Sequence, residues 1–264
     1  MLYPIIEALI LGLIQGLTEF IPVSSSGHLL LAGILFSFSQ NGFAFELALN
    51  VGTLSALLWF FRSDLLGIVK SLVTKRDYKL VGLLAVATIP AVVAGAIFMP
   101  VITTSLRSPY ITVSALILVG VVMLFIDKLS GKRQIEELNV RDALLIGIAQ
   151  SIALVPGTSR SGATIIAGRM LNLSNQAAAR FSFLMAIPII SGALASLLLK
   201  PEFSAILNNS QVLIVGILAS FVSGVWAIKF LMNFIKNNGL KWFGVYRIIF
   251  GGVVLLLLLI KGNI

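Results

Sequence analysis

The stretch TEFIPVSSSGH, residues 18–28, interrupts an otherwise apolar N-terminal region. It places a carboxylate, three serines and the only histidine of the chain within ten residues, around a single proline. Proline removes a backbone hydrogen bond from a helix, and serines favour the first position of a helix over its interior. The stretch therefore predicts a polar break between two helices.

The composition around this break is that of a membrane protein. The 264 residues are 58% hydrophobic and only 11% charged, and the mean hydropathy is +1.06, which is typical of polytopic membrane proteins. The net charge of +9 resides largely in short loops between apolar runs, as membrane-orientation signals do, so nucleic acid is not an expected partner. No cysteine is present, so disulfides and thiolate chemistry are excluded.

The predicted fold class is an all-α polytopic membrane protein with six spanning helices and two re-entrant helix-loop-helix hairpins. The hairpins are predicted at 4–38 and 141–170, where polar breaks divide the apolar run. Unpaired backbone at membrane depth is tolerated only inside protein or in a water-filled cavity, so two breaks imply one shared cavity. The six spans are predicted at 43–61, 80–99, 109–127, 177–199, 211–232 and 243–261.

The two breaks resemble each other and indicate an internal repeat. LGLIQGLTEFIPVSSSGH at 11–28 aligns with IGIAQSIALVPGTSRSG at 146–162 through a Gly-x-x-Gln approach, a proline and a Ser-x-Ser-Gly exit. The single membrane domain, 1–264, then contains repeat one at 1–127 and repeat two at 141–261. Each repeat holds one hairpin and three spans, and because three is odd the second repeat is expected to be inverted.

Loop charges predict the orientation. With the loop after the first span inside, thirteen basic residues are cytoplasmic and three are external, which places both termini outside. The first hairpin then enters from the outer face and the second from the cytoplasm. The thirteen are Arg62, Lys70, Lys75, Arg76, Lys79, Lys128, Lys132, Arg133, Arg141, Arg169, Arg180, Lys236 and Lys241, and the three are Arg107, Lys200 and Lys261.

Polar residues at the two breaks are the candidate site, because ionisable groups at membrane depth are usually functional. Helix N-termini, hydroxyls and a planar guanidinium favour an anion, and phosphate suits them best. The structural alternative is a Glu19–Arg160 ion pair that joins the hairpins, with serines as helix caps. The candidates are Glu19, Ser24, Ser25, Ser26 and His28 at the first break and Thr158, Ser159, Arg160, Ser161 and Thr164 at or just beyond the second.

These segments resemble a known family. QGLTEFIPVSSSGH at 15–28 and LVPGTSRSGATI at 154–165 are similar to the two signature segments of the undecaprenyl-diphosphate phosphatases, which are linked to bacitracin resistance. The resemblance continues through FELALNVGTLSALLWFFR at 45–62 and AARFSFLMAIPIISGAL at 178–194. It implies hydrolysis of the polyprenyl diphosphate carrier to its monophosphate and phosphate, an inverted-repeat fold and a divalent cation, Mg or Ca.

The resemblance also implies residue roles. Glu19 would be general base or metal ligand, and Gln15, at the family's paired position, would coordinate or hydrogen-bond. Ser25 is the favoured nucleophile with His28 as proton partner, while a histidine nucleophile or direct water attack stays open. Arg160 would hold diphosphate oxygens with its neighbours Ser159 and Ser161, and the remaining hydroxyls of Ser24, Ser26, Thr158 and Thr164 would bind substrate.

The second functional hypothesis is an anion or lipid-phosphate transporter, because broken helices in inverted repeats are characteristic of transporters. His28 close to Glu19 in sequence favours the enzyme, since a carrier needs no proton-transfer pair. The expected location is the inner (plasma) membrane, multi-pass, with the site open to the outer face. The expected partners are the polyprenyl diphosphate and membrane lipids, and a homodimer is compatible with the sequence.

Overall fold

The computed structural model describes residues 2–36, 42–199 and 209–262, with the single positions 38 and 203. In these residues the regular structure is helical, with a π-helical turn at Ser71–Lys75 and 3₁₀ turns at Ser105–Arg107 and Ile135–Glu137. The α-helices are α1 (Leu2–Phe20), α2 (Ser25–Phe36), α3 (Phe43–Phe60), α4 (Arg62–Lys70), α5 (Lys79–Thr103), α6 (Pro109–Ile126), α7 (Val140–Ile152), α8 (Arg160–Met170), α9 (Asn175–Leu198), α10 (Ser210–Asn238) and α11 (Lys241–Gly262).

The six predicted spans are all helices, namely α3, α5, α6, α9, α10 and α11, with ends within about six residues of the prediction. In the described part of the chain a seventh helix, α1, is also long and apolar enough to cross a membrane. The segment predicted as the first hairpin therefore begins with a helix of spanning length. Pro4 lies in the first turn of α1 and Pro22 lies beyond its end, so neither proline interrupts the helix.

The two predicted breaks are present and share one local geometry. Ser24 before α2 and Ser159 before α8 both adopt a left-handed backbone, with φ of 77° and 75°. The Ser24 hydroxyl accepts the amide N–H of Gly27 at 3.3 Å, and that of Ser159 accepts the N–H of Gly162 at 3.1 Å. Each serine therefore begins a short helix by satisfying one of its unpaired amides.

Small residues bring α1 and α7, the helices, or arms, that precede the two breaks, close to long helices. A Cβ on Gly16 of α1 would lie 2.3 Å from the carbonyl oxygen of Ser220 in α10, and one on Gly147 of α7 would lie 2.4 Å from that of Ala87 in α5. Such close backbone approach is typical of helix pairs in membranes, where small residues replace the hydrophobic effect as the basis of packing. Each arm is therefore held along one long helix.

An aromatic cluster fixes the end of α1. The buried ring of Phe20 packs edge-on against Phe183 of α9, with ring centroids 5.6 Å apart, and Phe61 packs on the same ring at 6.1 Å. All three side chains are at most 2% exposed. Because Phe20 is the last residue of α1, the cluster positions the residue before it, Glu19, beside the break.

Candidate functional site

Glu19 is the point at which the two breaks meet. Its Oε2 atom accepts hydrogen bonds from the Ser25 hydroxyl at 2.5 Å and the Gln15 amide at 3.1 Å. Its Oε1 atom accepts from Nη2 of Arg160 at 2.8 Å, in an ion pair whose side chains are 14% (Arg160) and 11% (Glu19) exposed. One carboxylate of the first break thus joins a serine of that break to the arginine of the second.

Ser25 and Arg160 reach Glu19 because they occupy equivalent positions. Each is the first residue of a short helix, and each follows the serine that caps it in a left-handed conformation. The same backbone geometry thus presents a hydroxyl from one break and a guanidinium from the other. The alignment of the two breaks thus pairs the two residues that contact Glu19.

Arg160 retains donor capacity beyond its ion pair. Its Nη1 atom is buried and makes no hydrogen bond to any described residue. A buried unsatisfied donor costs roughly 1–3 kcal/mol, and such atoms in native proteins generally have a ligand or water as partner. The guanidinium can therefore hold Glu19 with one nitrogen and an anionic ligand oxygen with the other.

A cavity of about 230 Å³ lies against this cluster. Its polar lining includes Gln15, Glu19, Ser25, Ser26 and Arg160, all predicted, together with Glu46, Asn50 and Gln150, which were not predicted. Its remaining lining consists of apolar side chains of α2, α3, α5 and α9 and of the residues just after α7. The cavity combines a few convergent polar groups with an apolar wall, as small-molecule sites do.

The residues missed by the sequence analysis extend the polar side of the cavity. The Gln15 amide donates to Oδ1 of Asn50 at 3.0 Å, so α1 and α3 are joined beside Glu19. Gln150 is the repeat counterpart of Gln15, and its buried Oε1 accepts no hydrogen bond from any residue described. The alignment that matched these two glutamines carried the signal needed to find Gln150.

An arginine outside the lining binds two residues of the cavity wall. Nη2 of Arg107 bonds to both carboxylate oxygens of Glu46, at 2.8 and 2.9 Å, and its guanidinium lies 5.1 Å from the ring centroid of Phe43. Glu46 and Phe43 both line the cavity. Arg107 belongs to the three basic residues predicted outside, so this wall is the one nearer the predicted outer face.

The other hydroxyls of the second break support its helix. Ser161 donates to the backbone carbonyl of Glu19 at 3.3 Å, and Thr164 donates to the carbonyl of Arg160 at 2.8 Å and lies 2.6 Å from the Ser182 hydroxyl. Ser159 and Ser24 cap their helices, and Thr158 is buried. Of the predicted substrate-binding hydroxyls, only that of Ser26 lines the cavity.

His28 lies away from this cluster. Its Nδ1 is 2.8 Å from the carbonyl oxygen of Ser24 and its Nε2 is 2.8 Å from the Tyr246 hydroxyl, so both ring nitrogens have partners. The ring also stacks on Phe250, with centroids 4.4 Å apart. The structure does not place His28 within hydrogen-bond reach of Ser25. Catalytic hydrogen bonds often tighten when substrate binds.

Arg247 is the largest feature that the sequence analysis missed. It is fully buried and donates to the carbonyls of Pro22 at 3.1 Å, Gly157 at 2.6 Å, Thr158 at 3.1 Å and Leu116 at 3.1 Å. One guanidinium therefore holds the backbone of both breaks. A lone arginine within the apolar run 243–261 was the available signal, since a charge there is rarely without a role.

Comparison with known proteins shows the family of this chain. The family model described as bacitracin resistance protein BacA matches residues 8–253. The chain belongs to the BacA family. It is similar to the undecaprenyl-diphosphatase of Marinobacter nauticus, with 40% identity over 95% of this chain and 97% of that protein. It is also similar to that of Rubrobacter xylanophilus, with 42% identity over 97% of this chain and 99% of that protein.

The donor set bears on the cation that family resemblance implies. The oxygen atoms that would hold it are those of the Glu19 carboxylate and the Gln15 amide, which are of the hard type that Mg²⁺ and Ca²⁺ prefer. Among the described residues no three His, Cys, Asp or Glu side chains come together to hold a metal alone. The residues therefore fit a cation only if the ligand's own phosphate oxygens complete its coordination.

Proposed function

We propose that this BacA-family protein hydrolyses undecaprenyl diphosphate to undecaprenyl phosphate and inorganic phosphate. This reaction recycles the lipid carrier of peptidoglycan synthesis and confers resistance to bacitracin. The proposal is supported by its similarity to undecaprenyl-diphosphatases, each of which matches at least 94% of this chain. The observation that carries it is Glu19, which bonds Ser25 of one break and Arg160 of the other.

The chemistry follows from these contacts. The Ser25 hydroxyl attacks the terminal phosphorus, and Glu19, 2.5 Å from Ser25 Oγ, accepts the proton. The bond between that phosphorus and the bridging oxygen breaks, so undecaprenyl phosphate leaves and a phosphoserine remains. Glu19 passes its proton to the leaving phosphate oxygen and is again a carboxylate. Water then attacks the phosphoserine, Glu19 accepts a proton from the water and returns it to Oγ of Ser25, and inorganic phosphate leaves.

Arg160 supplies the electrostatic part of the reaction. Its buried Nη1, which has no partner in the described part of the chain, donates to a non-bridging phosphate oxygen. Nη2 stays on Oε1 of Glu19, so the other carboxylate oxygen, Oε2, is the one that accepts the Ser25 proton. Donors placed where charge develops typically contribute the largest catalytic effect in such sites.

A divalent cation, Mg²⁺ or Ca²⁺, is part of this proposal. Glu19 and Gln15 would hold it together with diphosphate oxygens. The cation would neutralise charge on the leaving phosphate.

An inverted-topology repeat with re-entrant hairpins is the fold that we propose around the site. The packing supports it, because equivalent helices of the two halves form equivalent pairs: α1 packs on α10 as α7 packs on α5, and α6 packs on its own counterpart α11. In the proposed fold, oriented by the loop charges, the hairpin tips lie near the midplane and the cavity opens to the outer face of the plasma membrane.

Phosphate release by the purified protein is the test. We expect release from farnesyl diphosphate, loss of release when a chelator is added, and recovery with Mg²⁺ or Ca²⁺. Glu19→Gln should lower turnover by roughly 10²-fold or more while the protein still inserts and elutes normally. No phosphate release by wild type in the presence of either cation would contradict the proposed enzyme activity and favour the transporter hypothesis.

A further inference from the structure

Gln150 is a buried polar side chain of the cavity that the proposed reaction does not yet use. It is 2% exposed and belongs to the cavity lining. Its Nε2 donates to the backbone carbonyl of Ala87 at 3.4 Å, which identifies the nitrogen end of the amide. Its Oε1 is buried and accepts no hydrogen bond from any described residue. Because buried polar atoms in native proteins generally have a partner, this oxygen is available to a bound donor.

The internal repeat relates Gln150 to Gln15, but the two glutamines have different surroundings. Gln15 is also 2% exposed, and its amide donates to Glu19 at 3.1 Å and to Asn50 at 3.0 Å. Four residues after Gln150 the chain has Leu154, which lines the cavity and has no hydrogen-bonding side chain. The first arm therefore uses its glutamine to hold a carboxylate, whereas the second arm presents an amide oxygen that can bind a ligand.

The components of the proposed reaction identify water as the donor. An ionised diphosphate and a prenyl chain have no hydrogen-bond donor, whereas a water molecule has two. The Ser25 hydroxyl already donates to Glu19, and the unpartnered nitrogen of Arg160 is assigned to a phosphate oxygen. A cavity of about 230 Å³ has room for a phosphoryl group and a water, since one water occupies only about 30 Å³ in the liquid.

The second step of the proposed reaction requires such a water. There the water oxygen attacks the phosphorus of the phosphoserine, and the attacking and leaving oxygens lie roughly in line. The water must therefore approach from the side of the phosphorus away from Oγ of Ser25. Ser25 begins α2 after the first break, and Gln150 lies near the end of α7, the arm of the second break. Glutamine amides orient the attacking water in other phosphoryl-transfer enzymes.

We propose that Oε1 of Gln150 positions the water that hydrolyses the phosphoserine formed at Ser25. This rests on the proposed function, because the phosphoserine is the intermediate of that reaction. One hydrogen of the water bonds to Oε1 of Gln150 and stays on the water oxygen, and the other passes to Glu19 and then to Oγ of Ser25. The water oxygen forms a bond to phosphorus, the bond from phosphorus to Oγ breaks, and inorganic phosphate leaves. Gln150 thus acts in the second step and not in the first.

The test separates the two steps with Gln150→Met, which keeps most of the side-chain volume and removes the acceptor. Purified protein is mixed with farnesyl diphosphate at saturating Mg²⁺ or Ca²⁺. Farnesyl phosphate and inorganic phosphate are measured through the first turnover, and phosphate on Ser25 is measured by mass spectrometry after acid quenching. Gln15→Met is the matched control, because the two glutamines are equally buried and are equivalent in the repeat.

We expect Gln150→Met to form farnesyl phosphate at the wild-type rate in the first turnover, to accumulate phosphoserine, and to lower steady-state phosphate release by roughly 10²-fold. Gln15→Met should instead slow the formation of farnesyl phosphate, because it removes a donor to Glu19. The melting temperature of Gln150→Met in detergent should equal or exceed that of wild type, since Oε1 has no described protein partner to lose.

Wild-type phosphate release by Gln150→Met would overturn the inference, and so would a loss of release without accumulation of phosphoserine. Equal slowing of the first step by the two variants would also overturn it. Recovery of Gln150→Met at higher cation concentration would assign Oε1 to the cation instead of water. Failure of the wild type to form farnesyl phosphate would instead overturn the proposed function.

Discussion

At the scale of the residue, the account depends on which hydroxyl Glu19 activates. Ser25 and Ser26 are adjacent and both line the cavity, but the bond to Glu19 comes from Ser25. Ser25→Ala should therefore lower phosphate release by roughly 10²-fold or more, whereas Ser26→Ala should lower it by less than about tenfold. Steady-state phosphate release by the two purified variants checks this. Equal losses would contradict nucleophilic attack by Ser25.

His28 is the residue whose expected role the geometry alters. Because its ring bonds to the Tyr246 hydroxyl, it is placed to hold α2 against α11. Tyr246→Phe removes only that hydroxyl and should lower phosphate release several-fold, and His28→Ala should lower it at least as far. A deep loss in His28→Ala with wild-type release by Tyr246→Phe would instead make His28 the proton partner of Ser25.

The sequence could predict residue types at the site better than their contacts. A carboxylate, serines and an arginine at two related breaks made Glu19, Ser25 and Arg160 candidates, and the structure brings these three together. The choice of Ser25 among the serines came from the family resemblance. His28, three residues beyond Ser25, could not be assigned by sequence distance, because its direction depends on α11, more than 200 residues later. Contacts between distant helices carry no local sequence signal.

At the scale of the element, the breaks depend on Arg247. Arg247→Met keeps much of the side-chain volume but leaves the carbonyls of Pro22 and Gly157 without their donor. We expect a loss of about 3 kcal/mol or more in the free energy of unfolding, since each buried bond to a charged group contributes about 1.5–3 kcal/mol. Thermal unfolding in detergent measures it, with exposed Arg141→Met as control. Equal melting temperatures for wild type and Arg247→Met would contradict the role of Arg247.

Element boundaries were predictable where apolar runs are uninterrupted. The six spans followed from length and hydropathy, since a helix must remain apolar to cross the bilayer. The C-terminal end of α1 was not predictable in the same way. Its C-terminal turn carries Thr18 and Glu19, which read as part of the polar break, yet α1 continues through Phe20 because Phe20 packs against Phe183. Tertiary packing thus extended a helix beyond its local pattern.

At the scale of the whole molecule, the proposed orientation predicts which loops are reached from outside the cell. A cysteine at Gly42, which is exposed before α3, should label with an impermeant maleimide in intact cells, and one at Lys75, exposed in the loop after α4, should not. The absence of native cysteine makes each label specific. Ser39, a second candidate for the outer label, lies outside the described residues. Labelling of Lys75→Cys without labelling of Gly42→Cys would contradict the proposed orientation.

The central claim is that the two halves of the chain build one catalytic site across the Glu19–Arg160 contact. The most direct measurement is phosphate release by Glu19→Gln, Arg160→Met and the double variant, each checked for stable elution in detergent. We predict that each single variant loses roughly 10²- to 10³-fold in turnover, that Arg160→Lys lies between wild type and Arg160→Met, and that the double variant recovers nothing. Recovery of activity in the double variant would show a structural ion pair and contradict the catalytic assignment of both residues.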